Sequence, residues 1–170
     1  MPGFIATLQA SRHLLNTVAF LFCAGLLAYG YYLQFHDDLE PCPLCIFQRI
    51  AFLVTGLLFL AAAIQAPGLA GSRIYAVLIS LAGLTGAGIA GRHLWLQSLP
   101  AGEVPECGPG LDYLLEVFPL AETLKMVFTG SGECAEVSWS FLGLSMPGWA
   151  LLNFLGLVAA GILLNWLTAD

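Results

Sequence analysis

The sequence predicts an all-α membrane protein, a four-helix transmembrane bundle with two loops on one side, the second carrying a short interfacial helix. Three observations predict it. Of 170 residues, 59% are hydrophobic and only 9% are charged, against roughly a quarter charged in a soluble domain. Four apolar runs, at about 14–35, 46–66, 74–96 and 147–167, each approach the ~20 residues needed to cross the hydrocarbon. The acidic residues collect between the runs rather than within them. A chain so poor in charge cannot cover itself with a water-facing surface. A net charge of -6 offers no basic patch for nucleic acid, so no nucleic-acid partner is expected. The length fits a single membrane domain, residues 1–170.

Each run must be helical, because a lone segment in lipid has no other way to satisfy its backbone. The first, from Leu14 to Phe35, is longer than the apolar core of a signal peptide, roughly 7–15 residues, and no small-x-small cleavage site follows it. It reads as a retained helix. His36, Asp37 and Asp38 then form a solvated turn within the first loop, about 36–45. Pro41 and Pro43 precede the second run, and proline suits the first turn of a helix, where no donor is needed. The P-G-L-A-G-S-R stretch at 67–73 is a short connection.

In the third run Ala82, Gly86 and Ala90 are spaced four apart, as are Gly83, Ala87 and Gly91. Small residues at this spacing let helices approach closely in lipid. The long second loop, about 97–146, contains a stretch at 111–128 rich in Leu, Val and Phe but punctuated by Asp112, Glu116, Pro119, Glu122 and Lys125. Too charged and broken to span, it is expected to lie along the membrane surface as one or two short amphipathic helices, the alternative being an ordinary helix packed on the loop's own core. Trp95, Trp139, Trp149 and Trp166 fall near span ends or in this loop, as interfacial anchors do.

Four spans place both termini on one side. The loops at 36–45 and 97–146 share the other side with Cys42, Cys45, Cys107 and Cys134, and with every acidic residue but Asp170. Arg12 and Arg73 on the terminal side face Arg49, Arg92 and Lys125 on the other, so a count of basic residues does not orient the chain. The cysteines do: disulfides persist in oxidising compartments, which in a bacterium means periplasmic loops and cytoplasmic termini.

Cys42 and Cys45 form a C-P-L-C pair at the start of the second run. A two-residue spacer brings both sulfurs together at a helix start, where the local dipole favours the reactive thiolate. As a structural staple it would close too small a loop to stabilise much, so the redox reading is preferred. Arg49 follows Cys45 by one turn, placed to donate a hydrogen bond to a carbonyl and to stabilise negative charge. Cys107 and Cys134 are 27 positions apart. A disulfide between them could stabilise by roughly 3–4 kcal/mol in the chain-entropy model, and taken alone it would read as structural. Beside a C-x-x-C on the same face, with glycines and prolines flanking both, exchange chemistry becomes the better reading. A zinc site wants paired C-x2–4-C ligands, and this second pair is too widely spaced; no metal is expected. Cys23, inside the first run, reads as a buried inert thiol. His93 lies at a depth similar to Arg49, within reach of a shared ligand.

The run C-P-L-C-I-F-Q-R at 42–49 resembles the signature of the disulfide bond formation protein B family, DsbB. So do G-E-C-A-E-V-S-W-S-F-L-G-L-S-M-P-x-W at 132–149, with Gly148 at x, and R-H-L-W-L-Q at 92–97. The resemblance covers nearly the whole chain. It implies a membrane thiol:quinone oxidoreductase that reoxidises a periplasmic DsbA-type dithiol oxidase and passes the electrons to ubiquinone or menaquinone. It implies that a Cys107–Cys134 disulfide receives the partner's thiolate, Cys107 forming the mixed disulfide, and that Cys134 then exchanges with Cys42. Cys45 would be released as thiolate beside the quinone, with Arg49 and His93 as quinone-binding residues. Gln48 stands where some members carry Glu, so no acid is assigned a role there. Two other readings compete. A vitamin K epoxide reductase-like protein also couples a C-x-x-C to a quinone, but its loop cysteines precede that motif. A non-enzymatic scaffold would use the loop disulfides only as staples.

Overall fold

The computed structural model describes residues 2–36, 41–100, 116–129 and 132–167. Helix α1 runs over Pro2–His36, α2 over Pro43–Gln65 and α3 over Leu69–Gln97. Two short helices follow, α4 at Leu120–Thr129 and α5 at Gly132–Ala135. A two-stranded antiparallel hairpin comes next, β1 at Ser140–Phe141 and β2 at Leu144–Ser145. Helix α6, Met146–Ile162, completes the chain and widens into a π-helical turn at Leu163–Leu167. The segments long and apolar enough to cross a membrane are Arg12–His36, Pro43–Gln65, Leu69–Gln97 and Met146–Leu167. The protein is a four-helix membrane protein.

The helices outrun the apolar stretches that announce them. Helix α2 begins at Pro43 rather than Ile46, because Cys42 (φ -63, ψ 161) is an extended N-cap and Pro43 is preset for the first helical position. Cys45 therefore belongs to the first turn of α2, not to the loop. At the other end Ala66 adopts the left-handed conformation (φ 46), its N–H bonded to the Ala62 carbonyl, and Pro67 forbids continuation. Gly68 caps α3, which begins at Leu69, five residues before the apolar run at Ile74.

Helices adjacent in sequence pack side by side: α1 on α2, α2 on α3, and α3 on α6. The core contains Cys23, Phe52, Phe59, Ile79, Phe154 and Leu157. Lipid offers no hydrophobic drive for helix association, so close packing must supply it. Gly83 and Gly86 let α6 approach closely, admitting Val158 and the ring of Phe154, as Gly161 of α6 admits Ile79. Phe154 in turn stacks on Phe52 of α2, with ring centroids 3.9 Å apart. The inward stripe is Gly83, Gly86, Ala87 and Ala90, while Ala82 and Gly91 sit at its margin.

The seam between α1 and α6 is closed at the end where both termini lie. There Asn16 and Asn165 exchange amide hydrogen bonds of 3.2 and 3.0 Å. The Ser72 hydroxyl donates to the Asn165 carbonyl at 2.7 Å. Arg12 donates to Ser72 Oγ and to the Pro67 carbonyl at 3.2 and 2.8 Å. The π-helical turn is what sets Asn165 into this network. Toward the other end, α1 and α6 part.

A Cβ on Gly86 would overlap the Phe154 ring, whereas one on Gly88 would meet nothing within 4 Å. Gly86→Ala should therefore destabilise the bundle by about 1–3 kcal/mol, and Gly88→Ala should leave it unchanged or slightly firmer. Thermal unfolding in detergent checks this; equal midpoints for the two variants would refute the packing account.

Candidate functional site

The head of α2 holds the chemistry. Cys42 caps the helix, its sulfur accepting the Cys45 N–H at 3.4 Å. The two Sγ atoms lie 3.1 Å apart, about 1 Å beyond a disulfide bond. Cys23, Cys42 and Cys45 are free thiols. Cys107 lies outside the described residues, as do 37–40 and 111–115.

The two sulfurs of the pair serve different surroundings. Cys42 is buried in a cluster with Leu44, Ile89, Leu96, Val127 and Cys134. Cys134 is carried there by α5 and is itself 1% exposed. Helix α4 is amphipathic, as expected of this stretch. It turns Thr123 and Val127 inward over the cluster and leaves Glu122 and Lys125 exposed. The ring of His93, from α3, completes this side. Its Nε2 is 3.8 Å from Cys42 Sγ, and the ring also contacts the Cys134 backbone. Gln48 Nε2 lies 3.1 Å from His93 Nδ1. With that amide donating to Nδ1, the ring proton sits on Nε2, facing the Cys42 sulfur.

Cys45 packs against the same cluster but also opens on a second space. With Gln48 and Arg49 it walls a cavity of about 380 Å³. Leu27 and Gly30 of α1 form a second wall, Trp139 and Phe141 a third, and Trp149, Ala150 and Asn153 of α6 the last. Arg49 is not loose in this space. Its guanidinium donates to Gln34 Oε1 and, at 3.0 Å, to the Gly30 carbonyl, and it lies 4.8 Å from the Tyr31 ring centroid. Helix α1 thus fixes the cation one turn beyond Cys45, along the cavity wall.

Of the residues singled out in the sequence, Cys42, Cys45, Cys134 and His93 come together, and Arg49 joins Cys45 at the cavity. His93 and Arg49 do not share that space: His93 is 2% exposed and turned to the sulfurs, with Gln48 between it and the cavity. Trp95 and Trp166 sit near span ends beneath Arg92 and Arg73, but Trp139 and Trp149 are cavity walls. Cys23 is buried against Gly56, away from the site.

Sequence reasoning missed the hairpin. Its turn needs two positive φ angles, at Leu142 (52) and Gly143 (80), and the Leu-Gly pair between Phe141 and Leu144 was the available signal. The hairpin puts Phe141 over the cavity, its carbonyl accepting the Trp149 indole N–H at 3.0 Å. Cys42, Cys45 and His93 also present three ligand atoms within 4.8 Å of one another. A closed structural zinc site takes four.

A multi-pass membrane bundle with a close thiol pair at a helix head, a third thiol beside it and a largely apolar cavity behind it defines a class, the membrane-embedded thiol oxidoreductases. The family model "Disulfide bond formation protein DsbB" matches residues 12–164. The chain is 58% identical over 142 residues to a disulfide bond formation protein B of Hahella chejuensis, covering 84% of this chain and 86% of that one. It is 57% identical over 149 residues to that of Methylococcus capsulatus, covering 88% and 91%. To that of an Azoarcus species it is 48% identical over 160 residues, 94% of each. The chain belongs to the DsbB family of disulfide bond formation proteins.

The His93–Cys42 contact yields a measurable expectation. His93→Leu removes the only titratable ring at that sulfur among the described residues. Alkylation of Cys42 by iodoacetamide at neutral pH should slow at least about tenfold, with Cys45 less affected. Equal alkylation rates would show that the ring does not act on Cys42.

Proposed function

We propose that this protein is a thiol:quinone oxidoreductase. It reoxidises a periplasmic DsbA-type dithiol oxidase and delivers the electrons to ubiquinone, or to menaquinone. The observation that carries this is the placement of the pair between two surroundings: both cysteines pack with Cys134, and Cys45 alone also lines the Arg49 cavity.

The cavity suits a quinone ring. Its volume of about 380 Å³ lies in the range of small-molecule sites. The walls are mostly aromatic and aliphatic, and Arg49 and Gln48 supply N–H donors for a carbonyl oxygen. Below it, a crevice of about 490 Å³ continues between α1 and α6, lined by Leu15, Val18, Phe22, Leu157 and Leu164 among others. That surface suits an isoprenoid chain. When bound, a quinone supplies the acceptor for two electrons.

The protein's own residues perform the thiol steps. A partner thiolate attacks the Cys107–Cys134 disulfide at Cys107, and Cys134 leaves as thiolate. The partner's second thiolate closes the partner's disulfide and releases Cys107. Cys134 attacks the Cys42–Cys45 disulfide at Cys42, releasing Cys45 toward the cavity. Cys107 then re-forms its bond to Cys134 and frees Cys42. One partner dithiol has become a disulfide, and two electrons now reside on Cys42 and Cys45. His93 donates its Nε2–H to the Cys42 thiolate and so stabilises it. Arg49 stabilises negative charge at Cys45 and holds an acceptor oxygen.

These steps require both cysteine loops in the oxidising compartment, hence periplasmic, and both termini in the cytoplasm, in a single membrane domain. The protein would sit in a bacterial inner membrane, where quinone is dissolved. No step calls on a metal.

The test uses purified protein, ubiquinone and a reduced DsbA-type partner, following quinone absorbance. Catalytic loss of absorbance should vanish in Cys107→Ala and in Cys45→Ala. No loss with the wild-type chain and either quinone type would leave a disulfide-stapled membrane scaffold. Arg49→Leu should raise the KM for quinone at least about tenfold with little change in the KM for the partner; an effect confined to the partner's KM would remove Arg49 from the cavity's function.

A further inference from the structure

Asn153 is a polar side chain that the thiol chemistry does not use. It stands within the apolar span of α6, where an amide is costly. It is half-buried, whereas Leu155, two positions on, is 47% exposed. Asn153 borders both spaces, the upper cavity that holds Cys45 and Arg49 and the apolar crevice below it, which Leu152 also lines. It marks the junction between them.

Its orientation is fixed by its partner. The side-chain Nδ2 donates to the Trp149 carbonyl at 2.8 Å. A carbonyl only accepts, so the NH2 group must face it. Oδ1 and the second N–H find no partner among the described residues.

We propose that Asn153 is a specificity residue for the electron acceptor, its amide taking the ring oxygen that Arg49 leaves, in the oxidised and the reduced form alike. The assignment rests on the quinone reading above. A guanidinium can only donate, which matches a carbonyl oxygen or an anionic one. An amide donates and accepts, so it matches a carbonyl before reduction and a hydroxyl after it. A ligand with a polar ring and a long apolar chain changes character along its length, and Asn153 stands where the walls do the same.

The test is binding, read apart from turnover. The full-length protein, stripped of quinone in lipid nanodiscs, is titrated with ubiquinone-1 in its oxidised and reduced forms. Quenching of the emission from Trp139 and Trp149, both in the cavity wall, reports occupancy. Asn153→Leu should raise Kd about five- to tenfold for both forms. Asn153→Thr, which keeps a hydroxyl, should raise it about two- to threefold. Opening of the Cys42–Cys45 disulfide by dithiothreitol, and the thermal midpoint, should stay at the wild-type value. A wild-type Kd in the Leu variant overturns the assignment and leaves the quinone reading intact. Should the Leu variant fail to fold, an unchanged Kd in the Thr variant overturns it equally. A wild-type protein that shows no saturable quenching by ubiquinone-1 or by a short-chain menaquinone overturns both.

Discussion

The start of α2 is the constraint on which the site depends. Pro43 sets the first helical φ, Cys42 caps in extended conformation, and Cys45 then follows within the first turn. A cap residue and a first-turn residue are close in space but point to different sides of the helix. The result is two sulfurs 3.1 Å apart, of which Cys42 is packed with Cys134 and His93 while Cys45 touches that cluster and also opens on the Arg49 cavity. A helix starting at Ile46, as the apolar run alone indicates, would leave both cysteines in loop. Neither sulfur would then have a fixed neighbour. The proline-led start is therefore what turns a dithiol into a junction between two environments.

The rest of the bundle serves that junction by being tight on one side and open on the other. Glycines on α3 bring α6 in until Phe154 stacks on Phe52, so α2, α3 and α6 form one packed unit. Helix α1 is held to α2 through Arg49, Gln34 and Gly30, and to α6 through the Asn16–Asn165 exchange. Between those two fastenings α1 and α6 do not fill the space, and both internal spaces lie there. Because lipid gives helices no hydrophobic reason to close, a gap between two fastenings persists where a soluble protein would collapse it.

Much of this was legible in the sequence. The spans could be read because backbone in lipid has few options, and the C-P-L-C pair because its proline flanks and spacing fix local geometry. The small-residue stripe was legible in period, though the two glycines that make the close contacts, Gly83 and Gly86, come one from each spacing. Longer-range arrangement was not legible. That His93 turns to Cys42 while Arg49 turns to the cavity depends on the rotation of α3 against α2, and Gln48, standing between them, gave no signal by composition. Trp139 and Trp149 looked like surface anchors because the hairpin that folds Phe141 over the cavity rests on two positive φ angles. One of these falls on Leu142, a residue that does not advertise a turn. Asn153 was hidden in an apolar run, where periodicity says nothing about which face opens on a void.

The Asn16–Asn165 exchange joins side chains 149 residues apart. A chain is made from its N-terminus onward, so α1 reaches the membrane with Asn16 long before α6 exists to answer it. During that interval the amide has its own helix's Arg12 carbonyl as a partner, but half its capacity is unmet in a medium without water. The amide of Asn165 then selects the register of the last helix as it arrives, because sliding α6 by one turn would strand two amides and the Ser72 hydroxyl together. The order of synthesis thus makes this tie the final act of assembly, and a chain that stops short of Asn165 keeps α6 packed on α2 and α3 but leaves Asn16 an unanswered polar group at the α1 edge.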